Sequence, residues 1–348
     1  MSNDEKYMAR CIQIARNGLT NTPTNPMVGA VIVHNNMIIG EGYHIKYGEP
    51  HAEVNAISSV KNEQLLKEST IYVSLEPCSH YGKTPPCADL IIEKGIRKVV
   101  IGCKDPFPLV AGRGIEKLKN AGIEVITGVL ENECKELIKR FIVFNREKRP
   151  YIILKWAQSA DGFIDIKRKG GLPVILSTPL TGMLSHKYRA ESSGIMVGKN
   201  TARLDNPSLT TRNWFGNNPT RIVIDSNLNL DSSLNIYDNK VKTIIINSIK
   251  DGLEGNITFS KVNFNKNIIP EVLEILYKEK IQSVIIEGGS LLLQSFIDYN
   301  CWDEAFIELS PIKLEDGVKA PIIKRFYGKD NTLRFSRDII HLCNTINL

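Results

Sequence analysis

Apolar residues recur at helical spacing near the start of the chain. Tyr7, Met8, Cys11, Ile12 and Ala15 would line one face of a helix over residues 4–18, with Gly18 as its stop. The pattern then changes period. Residues 27–33 and 37–41 are short apolar runs flanking His34-Asn35-Asn36, which predicts two strands joined by a hairpin turn. From there helical and strand patterns alternate. Helices are expected at about 51–60, 86–94, 112–121 and 131–144, and strands at 70–75, 98–102 and 124–127. Such alternation predicts an α/β fold with helices on both faces of one sheet, a three-layer α/β/α sandwich.

The charged run Asn145-Arg146-Glu147-Lys148-Arg149-Pro150 interrupts the pattern. It suggests a domain over 1–145, a linker at 146–150 and a second domain over 151–348. In the second half, strands are expected at 151–156, 194–198, 220–225, 242–247 and 283–286, with 303–309 as the last clear one. Helices are expected at 178–190, 270–280 and 291–298, the first capped by Thr178 ahead of Pro179. The polar stretches 199–212, 227–239 and 248–267 read as loops. Gly288-Gly289 ends one strand and opens a helix, a place where backbone amides can meet a phosphate or simply turn the chain.

Composition narrows the function classes. The 348 residues carry a net charge of +6, mild enough to reflect a solvated surface or anionic substrates. The first residues lack the basic-plus-apolar pattern of a secretory signal, and no apolar run is long enough to span a bilayer. Of seven cysteines, Cys11, Cys103, Cys134, Cys301 and Cys343 are scattered among apolar neighbours and read as reduced, which points to the cytoplasm. A nucleic-acid surface would need stacking aromatics and dense basic runs, and the second half has few of the first and none of the second.

The chemistry concentrates between His51 and Cys87. His51-Ala52-Glu53 is followed by Pro77-Cys78 and, after eight further residues, by Cys87. One imidazole and two thiols fill three positions of a tetrahedral zinc site and leave the fourth to water. Glu53, two residues from a ligand, would carry protons between that water and the substrate. This is the ligand order of zinc nucleobase deaminases, which have two residues between their cysteines. The longer insertion here contains His80 and Lys83, suited to a ribose phosphate on the substrate. His51 and Glu53 can serve one site only if it lies beyond a helix end, with His51 in the first turn. Asn25 precedes the first strand, where its amide could meet a pyrimidine edge or merely shape the turn before Pro26. His44, after the second strand, could be structural or could face the same site.

With Asn25-Pro26-Met27-Val28-Gly29-Ala30, His51-Ala52-Glu53 and Pro77-Cys78 to Cys87, the first half resembles the deaminase half of the bifunctional riboflavin-biosynthesis deaminase–reductases. The second half resembles, more weakly, the reductase half of that family, through Leu154-Lys155, Ser159-x-Asp161-Gly162, His186-x-x-Arg189, Val197-Gly198-x-x-Thr201, Asp205-Asn206-Pro207-x-Leu209-Thr210-x-Arg212, Pro219-x-Arg221 and Glu287-Gly288-Gly289. The resemblance implies a zinc deaminase domain followed by a dihydrofolate-reductase-like α/β domain, with one Zn2+ per chain and NADPH as cofactors. It implies deamination of 2,5-diamino-6-(5-phosphoribosylamino)pyrimidin-4(3H)-one. Reduction of 5-amino-6-(5-phosphoribosylamino)uracil to the ribitylamino product would follow.

By resemblance Thr201, Asp205, Gly288, Gly289, Ser290 and Leu291 would contact NADPH. Arg189, Leu209, Arg212 and Glu287 would hold the reductase substrate, while Asn25, His44, His80 and Lys83 would hold the deaminase substrate. Lys155 and Asp161 would be nearby supports or polar contacts. Three departures stand out: Ile175 where many members have a cofactor-stacking Trp, Phe107 where Asn is usual, and Leu314-Glu315-Asp316-Gly317 in place of a glycine-rich turn. The first of these leaves room for a second half that only binds or scaffolds. The expected partners are phosphorylated pyrimidines, with self-association left open and neither nucleic acid nor membrane expected.

Overall fold

The computed structural model describes residues 1–19, 25–81, 85–107, 111–324, 326 and 330–344. The chain divides into two compact units, one from Met1 to Glu147 and one from Lys148 onward.

In the first unit α1 (Asn3–Ala15) precedes the hairpin β1 (Gly29–His34) and β2 (Met37–Tyr43). Then come α2 (Ala52–Ser58), β3 (Thr70–Leu75), α3 (Cys87–Glu93), β4 (Lys98–Cys103), α4 (Arg113–Asn120), β5 (Glu124–Thr127), α5 (Glu131–Leu137) and α6 (Lys139–Glu147). Asn35 and Asn36 turn the hairpin with φ of 48° and 61°, the left-handed pair a two-residue turn requires. The sheet runs β2-β1-β3-β4-β5, antiparallel across β1 and parallel from β3 to β5. Each face buries its own core. Met8, Cys11 and Ile12 of α1 meet Cys134 and Ile142 on one side, and Ala52, Ala56, Ile91 and Leu118 of α2 to α4 pack on the other. This is the expected three-layer sandwich. The helix expected over 131–144 is instead two, because Ile138 leaves helical geometry at φ −108° and ψ 17°.

The second unit opens with β6 (Tyr151–Gln158), β7 (Phe163–Asp165), α7 (Pro179–Ala190) and β8 (Gly194–Gly198). It continues through α8 (Lys199–Asp205), β9 (Thr220–Ile224), β10 (Thr243–Asn247), β11 (Gly252–Glu254), β12 (Ile257–Lys261) and α9 (Ile269–Lys278). Last come β13 (Ser283–Gly288), α10 (Ser290–Asp298), β14 (Glu304–Leu309), β15 (Val318–Lys319), β16 (Asp330–Arg334) and β17 (Asp338–Cys343). The main sheet is ordered β11-β12-β10-β9-β8-β13-β6-β14-β17-β16, parallel from β12 to β14. Its central strands are continuous apolar runs such as Val284, Ile285 and Ile286, each fully buried, as parallel strands covered on both faces must be.

Three expectations are corrected here. The polar run 199–212 starts with helix α8, the stretch 248–267 contains β11 and β12, and three strands follow 303–309. In parallel α/β sheets ligands gather beyond the carboxyl ends of the strands. Here those ends carry Gly198, Gly288 and Ser159, on β8, β13 and β6, three adjacent strands.

Candidate active site

In the first unit two helix starts and one strand end converge. His51 is the N-cap of α2 rather than a residue of its first turn, with extended backbone at φ −71° and ψ 167°. That geometry turns its ring off the helix end while Glu53 lies in the first turn, so both face one place. Cys87 is the first residue of α3, where the helix N-terminus favours thiolate. Cys78 follows the end of β3 through Glu76 and Pro77.

The ligand atoms meet. His51 Nδ1 stands 3.6 Å from Cys78 Sγ and 3.3 Å from Cys87 Sγ. All three ligand atoms lie within 4.8 Å of one another. Zinc–nitrogen and zinc–sulfur bonds of about 2.0 and 2.3 Å at a tetrahedral angle give an N···S edge of about 3.5 Å, so the set fits the metal. A hydrogen bond from Cys87 lowers the Cys78 pKa to about 4, against burial and with help from His51. The same shared proton raises that of Cys87. Glu53 is 3% exposed, and burial pushes its carboxyl up to about 7, within reach of both gaining and losing a proton near neutrality.

Asn25 and His44 also belong to this place. His44 Nδ1 is 3.1 Å from the Pro50 carbonyl oxygen, which can only accept, so Nδ1 carries the hydrogen. Nε2 is then left to accept from Asn25 Nδ2 at 2.9 Å. The His44 ring stands edge-on to His51 with centroids 5.6 Å apart, and burial lowers its pKa. His80 is exposed and near Asp105, whereas Lys83 lies outside the described residues.

The support beneath Cys78 is a residue the sequence reading passed over. Glu76 is 4% exposed. One of its carboxylate oxygens accepts from the N–H groups of Gly114 at 2.9 Å and Ile115 at 3.3 Å, the other from Gly112 at 3.0 Å and Asp105 at 3.2 Å. It thereby caps α4 and fixes the strand end that carries Cys78. A Cβ on Gly114 would fall 2.1 Å from the Pro77 carbonyl oxygen, so the close approach demands glycine. The sequence signal was available in Glu76-Pro77-Cys78 together with two glycines one residue apart.

In the second unit the expected cofactor residues divide. Thr201 Oγ1 accepts from the Gly289 N–H at 3.0 Å, and a Cβ on Gly288 would lie 3.1 Å from the Thr201 side chain. Thr201 and the Gly288-Gly289 turn are therefore one structure at the ends of β8 and β13. Ser290 starts α10 and Leu291 is 84% exposed, as is Ile175 at 78%. Asp205 pairs with Arg168, which also holds Asp165 at 2.6 Å. No motif in the sequence marks Arg168 for this place.

The expected substrate residues also pair. Arg189 donates to Glu287 through Nε at 2.8 Å and Nη2 at 2.5 Å, a bidentate pair beside Lys155. Burial lowers the Lys155 pKa while Glu287 and Glu308 oppose it. Leu209 is 2% exposed at φ +51°, held from below by Arg221 Nε donating to the Ser208 carbonyl at 3.0 Å. The Arg212 side chain is exposed, with Nη1 3.0 Å from Thr210 Oγ1. Asp161 instead braces a turn, accepting from the Leu314 and Glu315 N–H groups at 3.1 and 2.8 Å.

Comparison with known proteins follows the same division. Residues 1–103 match the cytidine and deoxycytidylate deaminase zinc-binding region, and residues 150–322 match the RibD C-terminal domain. The riboflavin biosynthesis protein RibD of Bacillus amyloliquefaciens is 41% identical over 97% of this chain and 91% of its own. That of Escherichia coli K12 is 35% identical over 88% of each chain. Among solved structures, a diaminohydroxyphosphoribosylaminopyrimidine deaminase/5-amino-6-(5-phosphoribosylamino)uracil reductase from Thermotoga maritima superposes with a TM-score of 0.88. It is 35% identical, with 99% of both chains covered.

Proposed function

Because this chain belongs to the family of bifunctional riboflavin-biosynthesis deaminase–reductases, we propose that its two units carry out that family's two consecutive steps. It is a deaminase and reductase of riboflavin biosynthesis that uses Zn2+ and NADPH. The observation that carries the reading is the convergence of His51, Cys78 and Cys87 on one metal-sized space with Glu53 buried alongside.

In the first unit, His51, Cys78 and Cys87 hold the zinc. Zinc held there supplies a Lewis acid that brings the pKa of a water near 7. Glu53 takes a proton from water and gives it to the pyrimidine ring nitrogen as the water oxygen bonds to carbon, then carries the proton of that new hydroxyl to the amine, which departs as ammonia when its bond to carbon breaks. The carbon attacked is C2, which bears the amine lost from 2,5-diamino-6-(5-phosphoribosylamino)pyrimidin-4(3H)-one. Asn25, with its amide NH2 group given to His44, offers its oxygen to the pyrimidine edge. His44, with both ring nitrogens engaged, positions Asn25 rather than meeting the phosphate. His80 and Lys83 complement the phosphate charge.

In the second unit NADPH supplies the hydride. Thr201, Asp205 and the 288–291 turn seat the cofactor, Asp205 once Arg168 yields it. Arg189, Glu287, Leu209 and Arg212 position the ribosylaminouracil, with the arginines toward its phosphate. A second half that only binds or scaffolds is not favoured, since the reductase family match spans 150–322. We place the enzyme in the cytoplasm, consistent with seven free cysteines and with no helix among the described residues long and apolar enough to cross a membrane.

The test is Glu53→Gln assayed twice, by ammonia release from the diamino substrate and by NADPH absorbance loss on the deaminated one. The variant should keep its zinc, lose the first activity by at least a thousandfold and keep the second. Near wild-type ammonia release would overturn the role of Glu53. Absence of NADPH oxidation in the wild type would overturn the reductase.

A further inference from the structure

The metal ligands expected from the sequence, His51, Cys78 and Cys87, all lie in the first half. The antiparallel pairing of β14 with β17 brings a second set together. Glu304 stands opposite Cys343, and Phe306 opposite His341. Directly opposed residues, and residues two apart on a strand, share a face of the sheet. Glu304, Phe306, His341 and Cys343 therefore project to one side.

His341 Nε2 lies 3.4 Å from Glu304 Oε1 and 3.6 Å from Cys343 Sγ. One nitrogen thus faces a carboxylate and a thiol at once, and the three ligand atoms lie within 4.8 Å of one another. A tetrahedral zinc ion with nitrogen and oxygen at about 2.0–2.2 Å and sulfur at about 2.3 Å has edges of about 3.4 Å for N···O and 3.5 Å for N···S. The observed separations are those edges. They also match the 3.6 and 3.3 Å found between His51 and its two sulfurs.

The ring is held in place. His341 stacks on Phe306 with centroids 4.3 Å apart and planes within 7°, and Phe306 stacks in turn on Tyr188 of α7 at 4.6 Å. The Glu304 side chain is 5% exposed and that of His341 22%, so a bound ion would be sheltered yet reachable.

We propose that Glu304, His341 and Cys343 form a second divalent-metal site, and the nitrogen, oxygen and sulfur donors assign it to zinc. The fourth position falls to water. The ion cross-links β17 to β14 and so fastens a late strand of the chain to the parallel sheet. It does not join the hydride chemistry. Glu304 opens β14 level with Ile153, Phe306 is the register partner of Lys155, and Glu308 near the carboxyl end of the strand is four residues on from Glu304, roughly 13 Å at strand spacing. The competing occupant is a proton. Burial lowers the His341 pKa, but hydrogen bonds to Cys343 and Glu304 outweigh it and raise it to about 9.

Metal counting decides between them. The full-length protein is stripped with a chelator, reloaded with excess zinc chloride at pH 8, freed of unbound metal and analysed for zinc per chain. The wild type should hold two, and His341→Ala and Cys343→Ser one each, with ammonia release within twofold of wild type. Cys343→Ser changes one atom and keeps the test valid if His341→Ala does not fold. Cobalt loading adds a second readout. A Cys78→Ser/Cys87→Ser double variant should still show sulfur-to-cobalt absorption in the near ultraviolet, and further Cys343→Ser should abolish it. One zinc per wild-type chain overturns the proposal. So does a wild type with two whose His341 and Cys343 variants both keep two.

Discussion

Replacing Glu76 with Gln tests whether the deaminase metal site depends on a residue that touches no metal. The carboxylate accepts four backbone N–H groups, two on each oxygen. Glutamine keeps one acceptor oxygen and turns an NH2 group toward the other pair. The better arrangement leaves the oxygen on Gly114 and Ile115, whose bonds are the buried ones, and sets NH2 against Gly112 and Asp105. Hydrogen bonds to a charged group contribute about 1.5–3 kcal/mol each. Losing two, with the two that remain made to a neutral acceptor, implies roughly 3–6 kcal/mol. Water reaching the half-buried pair reduces this to about 3 kcal/mol. Because Pro77 and Cys78 follow directly, the loss should appear locally. Urea unfolding of the first unit should shift by about that amount, zinc should leave to a competing chelator at least tenfold more easily, and ammonia release should fall while NADPH oxidation does not. If Glu76→Gln unfolds within 0.5 kcal/mol of wild type and holds zinc as tightly, the carboxylate does not organise the site and the reasoning fails.

Other perturbations read different parts of the structure. Gly114→Ala puts a Cβ 2.1 Å from the Pro77 carbonyl oxygen, so it should displace the Cys78 strand end and lower zinc occupancy; full occupancy in metal analysis would contradict the close approach. Burial would raise the Glu287 carboxyl, but Arg189 outweighs it and the net pKa is lowered. A carboxyl with a depressed folded-state pKa adds stability above its unfolded value, about 4.3, and loses it as pH falls through the folded value. Glu287→Gln should therefore destabilise the second unit by about 3 kcal/mol at pH 7, where Arg189 is left buried without its partner, and by progressively less as pH falls from about 4.3 through the depressed folded value. Denaturant curves across this range check the sign, and a gap that widens in acid would refute it.

The elements that the sequence revealed are those whose burial is written in a short window. The strand at Thr70–Leu75 and the helix capped by Thr178 carry their own period and their own start signals. Helix α8 buries only Ala202, so no apolar stripe marks it among polar neighbours. Strand β12 alternates Ile257 and Phe259, but over five residues set in an Asn- and Asp-rich stretch. The break at Ile138 falls inside an unbroken apolar pattern, because both helices use the same face. The same distinction governs the sites. His51, Glu53, Cys78 and Cys87 were legible because a motif places them. The four amides around Glu76, the Asn25–His44 contact and the Glu304–His341–Cys343 cluster come from strand order and register, which no local pattern encodes.

The two thiol ligands are also joined without the metal. The Cys87 N–H donates to Cys78 Sγ at 3.3 Å, and the Ala88 N–H donates to the Cys78 carbonyl oxygen at 3.1 Å. The intervening segment thus leaves and returns through a fastened base, like a cassette plugged into a socket. Its length and sequence can drift, or be exchanged by an engineer, without asking the ligands to move. With His80 and Lys83 as the proposed partners of the phosphate, substrate choice would change in that cassette while the hydrolytic apparatus is inherited intact, a way to fit one deaminase core to free bases, nucleotides or phosphoribosylated intermediates.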